Sequence, residues 1–356
     1  MATRREAVQA LALTGLRAVI APTWLEAASS ASASSDRKGG KANSLAPFHV
    51  VHGWPDLPDA YFLGEVSGVG TDSRNNVFVF HRGDHSGQKP TGQPIEAPAV
   101  LNLDGNSGKL LGAWGANTFV VPHGLRVDRQ DNVWLTDNYL HQVIKFSADG
   151  KLLMSVGTAR TPGCDATHFN RPTDIAVAAD GSFFVSDGYG NSRIAKFSAE
   201  GKFLLDWGQK GTKAGEFDTP HNVLIGPDQR IYVADRGNNR MQVFDSNGKF
   251  LEKWEGPELG RPWGLSNAPD GSIYMVDGGD FPAGPPNRGR VVRLDTQGNV
   301  LEKWGKAGRY DGQTWLGHAI AVARSGDVYV GDVNLVMRIQ KFSRSTQTCL
   351  SQPPAG

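Results

Sequence analysis

Short apolar runs such as Val77-Phe78-Val79-Phe80 and Phe183-Phe184-Val185 alternate along the chain with turn clusters rich in glycine, asparagine, aspartate and proline. Runs of this length bounded by turn residues predict many short strands rather than long helices. The runs recur in a fixed frame. Six tetrads open successive units: Val66-Ser67-Gly68-Val69, Pro122-His123-Gly124-Leu125, Pro172-Thr173-Asp174-Ile175, Pro220-His221-Asn222-Val223, Pro262-Trp263-Gly264-Leu265 and Gly317-His318-Ala319-Ile320. A turn and a β-rich run follow each tetrad. In five units the run closes on an aspartate (Asp137, Asp187, Asp235, Asp277, Asp332), and in the first His81 takes that place. The second residue of the tetrad lies 14 positions before this closing residue in all six units. A spacing held six times marks an internal structural repeat.

A second element follows in most units: Gly-Lys or Gly-Asn, then apolar residues, then tryptophan, as in Gly108 to Trp114, Gly201 to Trp207, Gly248 to Trp254 and Gly298 to Trp304. Gly150 to Val156 keeps the spacing without the tryptophan. Units of roughly 42–55 residues have the size of four-stranded propeller blades. The last unit ends after its third strand, near Arg338 to Phe342, whereas Phe48 to Trp54 resembles a fourth strand standing before the first unit. The chain is therefore expected to be all-β, a six-bladed β-propeller of NHL type over residues 48–344. The strand at 48–54 completes the last blade and removes the open edges of the ring.

Outside the repeats, Arg4-Arg5 precedes a modestly apolar stretch from Ala10 to Ala21, and Ala31-Ser32-Ala33 offers a cleavage site. Residues 1–33 read as a twin-arginine-like export signal, too short and too interrupted to span a bilayer, so a periplasmic or secreted location is expected. Residues 34–47 read as a linker and 345–356 as a C-terminal tail. Two cysteines, Cys164 and Cys349, do not make a disulfide framework, and their pairing stays open. Lys+Arg 37 against Asp+Glu 36 leaves a net charge of +1, too little for a nucleic-acid footprint.

The repeat gives the histidines their meaning. Equivalent positions of a propeller lie at equal angles around one axis, and the column at the start of the innermost strands reads Ser67, His123, Thr173, His221, Trp263, His318. Histidine occupies the second, fourth and sixth blades, about 120° apart in a ring of six. One such histidine would be an ordinary strand start, but three in alternation can meet at the axis. Three imidazoles with an open fourth position suit catalytic zinc. The position after the closing residue carries Arg82 in blade one and Arg236 in blade four, on opposite sides of the ring. Their guanidinium forks suit a carboxylate, or alternatively the carbonyls of blade turns. Tyr189 lies one residue beyond this column in blade three, where a metal and two arginines would favour its phenolate.

At these residues the chain resembles the peptidyl-α-hydroxyglycine α-amidating lyases. The resemblance runs from about Val66 to Phe342 and is most specific at His81-Arg82-Gly83-Asp84-His85, Pro122-His123-Gly124-Leu125, Leu140-His141-Gln142-Val143, Ser186-Asp187-Gly188-Tyr189 and Val233-Ala234-Asp235-Arg236. It implies that His123, His221 and His318 bind zinc. It also implies that Tyr189 is the catalytic base and that Arg82 and Arg236 surround the substrate. A channel calcium on the backbone carbonyls of Val69 and Leu125 is implied as well. However, Ala319 stands where a carboxylate is expected, so calcium should bind weakly or not at all. Leu316 replaces a methionine near the site. The family's disulfide positions fall on Asn170 with Gly190 and on Tyr232 with Val243, where both members are lost together.

The activity implied is zinc-dependent cleavage of the N–C bond of a peptidyl- or N-acyl-α-hydroxyglycine to an amide and glyoxylate. The partner is a small-molecule or peptide substrate with a free carboxylate. Two alternatives stand beside it. One is a related metal-dependent lyase or hydrolase acting on another small hydroxy-acid adduct, favoured by Ala319 and Leu316. The other is a non-enzymatic binding propeller, in which a stoichiometric metal would be unexpected.

Overall fold

Apolar runs of four to six residues fill one strand each, and the turns between them return the chain antiparallel to itself. The computed structural model describes residues 46–280 and 287–344. These form six antiparallel four-stranded sheets. β1 (His49–Val50) comes first in the chain and last in the ring. Blade one holds β2 (Val66–Thr71), β3 (Val77–His81), β4 (Val100–Leu103) and β5 (Leu110–Trp114). Blade two holds β6 (Pro122–Val127), β7 (Val133–Asp137), β8 (Gln142–Phe146) and β9 (Leu152–Val156). Blade three holds β10 (Asp174–Val177), β11 (Phe183–Asp187), β12 (Arg193–Phe197) and β13 (Phe203–Trp207). Blade four holds β14 (Pro220–Ile225), β15 (Ile231–Asp235), β16 (Arg240–Phe244) and β17 (Phe250–Glu255). Blade five holds β18 (Pro262–Asn267), β19 (Ile273–Asp277), β20 (Arg290–Leu294) and β21 (Val300–Trp304). Blade six holds β22 (Gly317–Val322), β23 (Val328–Asp332) and β24 (Ile339–Ser343), with β1 as its fourth strand. The export segment 1–33, residues 34–45 of the linker, the tail 345–356 and Cys349 lie outside the described residues. No helix among the described residues is long and apolar enough to cross a membrane.

The ring closes as its repeat requires. His49 pairs with Ser343 and Val50 with Phe342, and the Val51 N–H extends the ladder to the Lys341 carbonyl at 2.8 Å. The regular ladder is shorter than residues 48–54 because the chain then turns to place Trp54 between blades.

The Gly…Trp element now has a physical reason. Each of these glycines sits in the turn before its outer strand at positive φ, from +78° to +87°. At four of the five the tryptophan of the preceding blade lies where a Cβ would stand. A Cβ would come within 2.8 Å of the Trp54 ring at Gly108, 2.7 Å of Trp114 at Gly150, 2.6 Å of Trp207 at Gly248 and 2.6 Å of Trp254 at Gly298. Val156, which replaces a tryptophan, meets Gly201 in the same way at 3.0 Å. Only glycine accepts both the left-handed backbone and the covering ring. The element is thus an interblade contact. Trp54 on Gly108 is the contact that carries blade six onto blade one. At the remaining junction Trp304 packs on Phe48, with centroids 4.9 Å apart.

The closing aspartates act as latches that reach into the site. Fully buried Asp137 accepts the N–H groups of Val120 (2.7 Å) and Val121 (3.0 Å), just before His123. Asp235 accepts the Asp218 N–H (2.7 Å) before His221, and Asp332 accepts the Trp315 and Leu316 N–H groups (3.1 Å each) before His318. Such buried acceptors fix the approach to each innermost strand. His81 performs this acceptor task in blade one: its Nδ1 accepts the N–H of Gly64 (3.3 Å) and Gly83 (3.1 Å). Burial lowers its pKa to about 4, so the ring stays neutral and keeps the lone pair that the task needs. The two residue pairs at which the resemblance places disulfides are neighbours here. The Gly190 N–H donates to the Asn170 carbonyl at 2.9 Å, and Tyr232 lies opposite Val243 on adjacent strands.

Candidate metal centre

His123, His221 and His318 begin three innermost strands and meet on the axis. All three are buried, and one nitrogen from each lies within 4.8 Å of the others. Ring centroids stand 4.6–4.8 Å apart with interplanar angles of 72–77°. Each Nδ1 is bonded to the backbone carbonyl of the corresponding residue in the next blade. His123 pairs with Thr173 (2.6 Å), His221 with Trp263 (2.8 Å) and His318 with Ser67 (2.8 Å). The even-numbered blades supply imidazoles and the odd-numbered blades supply the carbonyls that orient them. A carbonyl only accepts, so Nδ1 carries the proton and Nε2 presents its lone pair to the axis. All three pKa values lie well below 6.5, foremost because burial disfavours the charged ring, with like charge from neighbouring groups adding to it. The rings are neutral at pH 7, the state a metal requires.

The donor set fits a metal ion. Tetrahedral zinc with Zn–N bonds of about 2.0–2.1 Å separates its ligand nitrogens by roughly 3.3–3.4 Å. Three neutral nitrogens with one open direction form a site used by catalytic zinc.

Tyr189 stands at that open direction. Its Oη is 3.2 Å from His123 Nε2, 3.1 Å from His221 Nε2 and 3.1 Å from Arg236 Nη1. Its position follows from Gly188, where a Cβ would lie 1.9 Å from the Pro220 carbonyl. With no side chain at 188, the loop after β11 lies close against blade four, and Tyr189 reaches the axis. The phenol ring is held between two guanidinium groups, Arg171 at 5.2 Å and Arg236 at 5.1 Å from its centroid, while Arg236 also covers Trp263 at 4.3 Å. Arg82 is buried, its Nη1 donating to Glu65 and its Nε to the Pro122 carbonyl at 2.9 Å. Its Nη2 has no hydrogen-bond partner among the described residues. The structure thus brings together all six residues singled out for the zinc and the reaction. Glu65 and Arg171 were missed.

The three rings divide the axis into two spaces. On one side lies a cavity of about 330 Å³ walled by Arg82, Tyr189, Arg236, Trp263 and Leu316, with His318 at its base. On the other lies a narrow channel, about 20 Å³, where Val69 and Leu125 sit beside Ala319. The acid lining that channel is Asp174, and its carboxylate is taken by Arg126. The same guanidinium donates to the carbonyls of Ile175 (3.1 Å) and Leu265 (2.9 Å) and to Asn222 Oδ1 (2.8 Å), tying blade two to blades three, four and five. Burial pushes Asp174 up to about 6 against the pull of Arg126.

Known proteins resemble this chain along most of its length. The NHL repeat family matches residues 169–197 and 217–244, in blades three and four. The chain is 38% identical over 317 residues to peptidyl-glycine alpha-amidating monooxygenase A of Xenopus laevis, covering 83% of this chain and 33% of that protein. It is 35% identical over 310 residues to peptidyl-alpha-hydroxyglycine alpha-amidating lyase 1 of Drosophila melanogaster, covering 79% of this chain and 57% of that one. The chain therefore spans a third of the length of the first relative and little more than half of the second. Among solved structures, a streptogramin B lyase superposes with a TM-score of 0.55 at 16% identity, over 83% of this chain and 97% of that one, a likeness of fold alone.

Proposed function

We propose, from the premise that this chain belongs to the peptidyl-α-hydroxyglycine α-amidating lyase family of NHL-repeat propellers, that it cleaves N-acyl- or peptidyl-α-hydroxyglycines to an amide and glyoxylate. The observation that carries the reading is the phenol of Tyr189, within hydrogen-bond distance of two Nε2 atoms and of Arg236. Zinc held by His123, His221 and His318 would supply a Lewis acid that acidifies a hydroxyl at its open position. Tyr189 Oη, reacting as the phenolate, takes the carbinol proton of R-CO-NH-CH(OH)-COO⁻. The C–O bond gains double-bond character, the C–N bond breaks, and its electron pair leaves on the amide nitrogen. That nitrogen recovers a proton from Tyr189, giving R-CO-NH₂ and OHC-COO⁻. The Arg236 hydrogen bond to Oη strengthens as that oxygen gains negative charge. Arg82, held rigidly by Glu65 and Pro122, has Nη2 left to grip the carboxylate.

The test is release of glyoxylate from benzoyl-α-hydroxyglycine by zinc-loaded protein, measured against the spontaneous rate. Release above background is expected, and none from fully metallated protein would reject the reading. Leu316 at the cavity wall favours a second reading, the same chemistry on another small α-hydroxy-acid adduct, which product analysis separates. Export of the chain, directed by residues 1–33, belongs to the proposal.

Calcium is not expected to be a resident ion. Protein calcium sites normally include carboxylates, and the acid lining this channel already has a cation in Arg126. Elemental analysis after chelation and gel filtration should therefore find no stoichiometric calcium, and one retained ion per chain would contradict this assignment.

A further inference from the structure

Between β3 and β4 the chain leaves blade one for residues 82–99 and crosses onto blade two. It is tied down there. Ile95, fully buried, exchanges backbone hydrogen bonds with the entry loop of blade two, donating to the Phe119 carbonyl (2.8 Å) and accepting from the Asn117 N–H (2.7 Å). The Gly92 carbonyl accepts from Arg160 Nη1 at 3.0 Å, and Tyr139 Oη lies 2.6 Å from where a Cβ on Gly92 would stand. This strap roofs a second chamber, about 330 Å³, lined by Pro90, Val121, Tyr139 and His141. The catalytic cavity and this chamber share four wall residues, Gly87, Gln88, Asn138 and Arg171, so the two adjoin. Arg171 stands at the doorway. Its guanidinium lies on the Tyr189 ring, and among the described residues it has no acidic partner and no side-chain hydrogen bond. Arg82 and Arg236, by contrast, already donate to Glu65 and to Tyr189.

We infer that the second chamber is the acyl-side subsite. It receives a flat apolar group attached to the acyl carbonyl next to the scissile N–C bond, and Arg171 donates to that carbonyl as it passes the doorway. The inference rests on the lyase reading above. With the reacting carbon beside Tyr189 Oη, the acyl carbon is two bonds away, on the side where Arg171 covers the same ring. A cavity of about 150 Å³ holds a benzene ring, so this chamber takes a phenyl group together with a short linker. The substrate class is thus an N-arylalkanoyl-α-hydroxyglycine, or a peptide whose residue before the hydroxyglycine carries a flat apolar side chain.

The experiment compares N-acetyl-, N-benzoyl- and N-(3-phenylpropanoyl)-α-hydroxyglycine on zinc-loaded wild type, Tyr139→Ala, Gln88→Trp and Arg171→Met. Burying a phenyl group should raise kcat/KM of the wild type by about 10–100-fold from the acetyl to the phenylpropanoyl compound, chiefly through KM. Tyr139→Ala should remove most of that advantage, with circular dichroism and the thermal midpoint reporting on its folding. Gln88→Trp, in the wall shared by both cavities, should obstruct the doorway and cut phenylpropanoyl turnover more than acetyl turnover. Arg171→Met should raise KM for all three and preserve their order. Equal kcat/KM across the wild-type series, or an order unchanged in both Tyr139→Ala and Gln88→Trp, overturns the subsite alone. No glyoxylate from any of the three overturns the lyase reading and the subsite with it.

Discussion

Replacing Tyr189 with phenylalanine is expected to lower kcat for glyoxylate release by about 10²–10⁴-fold, the usual contribution of a positioned acid or base, with KM nearly unchanged. The substitution removes one oxygen and leaves the ring between Arg171 and Arg236, so the cavity keeps its shape. What disappears is the atom that contacts His123, His221 and Arg236 together. A group that acts in the transition state should be missed there and hardly in the ground-state complex. Initial rates on zinc-loaded protein decide the matter. A loss smaller than tenfold, at matched metal content, would assign the proton transfer to another group.

The second large effect concerns the histidines. Structural zinc sites with four ligands bind with roughly 10–16 kcal/mol, or about 2.5–4 kcal/mol per ligand. His318→Ala should therefore weaken zinc by about 10²–10³-fold and abolish turnover at limiting metal. Elemental analysis and competition with a chelator measure the first, and an unchanged affinity would dismiss the axial site. The metal-free protein should also show a pH signature. The three imidazoles have folded pKa values well below the unfolded 6.5. An unfolded chain then binds more protons than a folded one as pH drops below 6.5. The stability they contribute is complete above that pH and is lost progressively beneath it. Asp174 and Asp332, both pushed up to about 6, begin to take protons in the folded state from there downward and oppose the loss. The urea midpoint of apo-protein is expected to fall as pH drops from 6.5 towards 5, by less than the three histidines alone would give. Zinc-loaded protein should be flatter across that interval, because the metal holds the rings unprotonated.

Periodicity carried most of this architecture into the sequence. A propeller repeats its backbone, so positions fixed by the repeat, the column from Ser67 to His318 and the latches from His81 to Asp332, could be aligned without a structure. Alternation of histidine within the column then gave the axial cluster. Less legible were contacts made by backbone atoms or by residues outside the frame. Thr173, Trp263 and Ser67 orient the imidazoles through carbonyls, which every residue possesses and no pattern marks. Glu65 precedes the first tetrad and meets Arg82 only because the blade folds back. Arg171 stands in no repeat column, and its exposure beside Tyr189 accompanies a left-handed backbone, φ +63°, at a residue type that rarely adopts one. Arg126 follows Leu125 directly, and its path across the channel has no counterpart in the other units.

The bond from His318 Nδ1 to the Ser67 carbonyl joins residues 251 positions apart, and it ties the C-terminal strands of blade six to blade one, across a ring whose non-covalent seam is the pairing of β1 with β24. Covalently the molecule is a strip, and its circular form is an association of its own two ends. An ion gripped by blades two, four and six recognises only the circle, since any parting of β24 from β1 would carry His318 out of reach. Circularisation is then a ligand-linked equilibrium. An ion at a thousand times its Kd favours the closed form by about 4 kcal/mol, and a chelator withdraws that preference without touching a single strand. Loss of the metal should thus be felt first far from the axis, as fraying where His49 and Val50 lie on β24. A hoop whose pin has been drawn fails in the same way, at its joint.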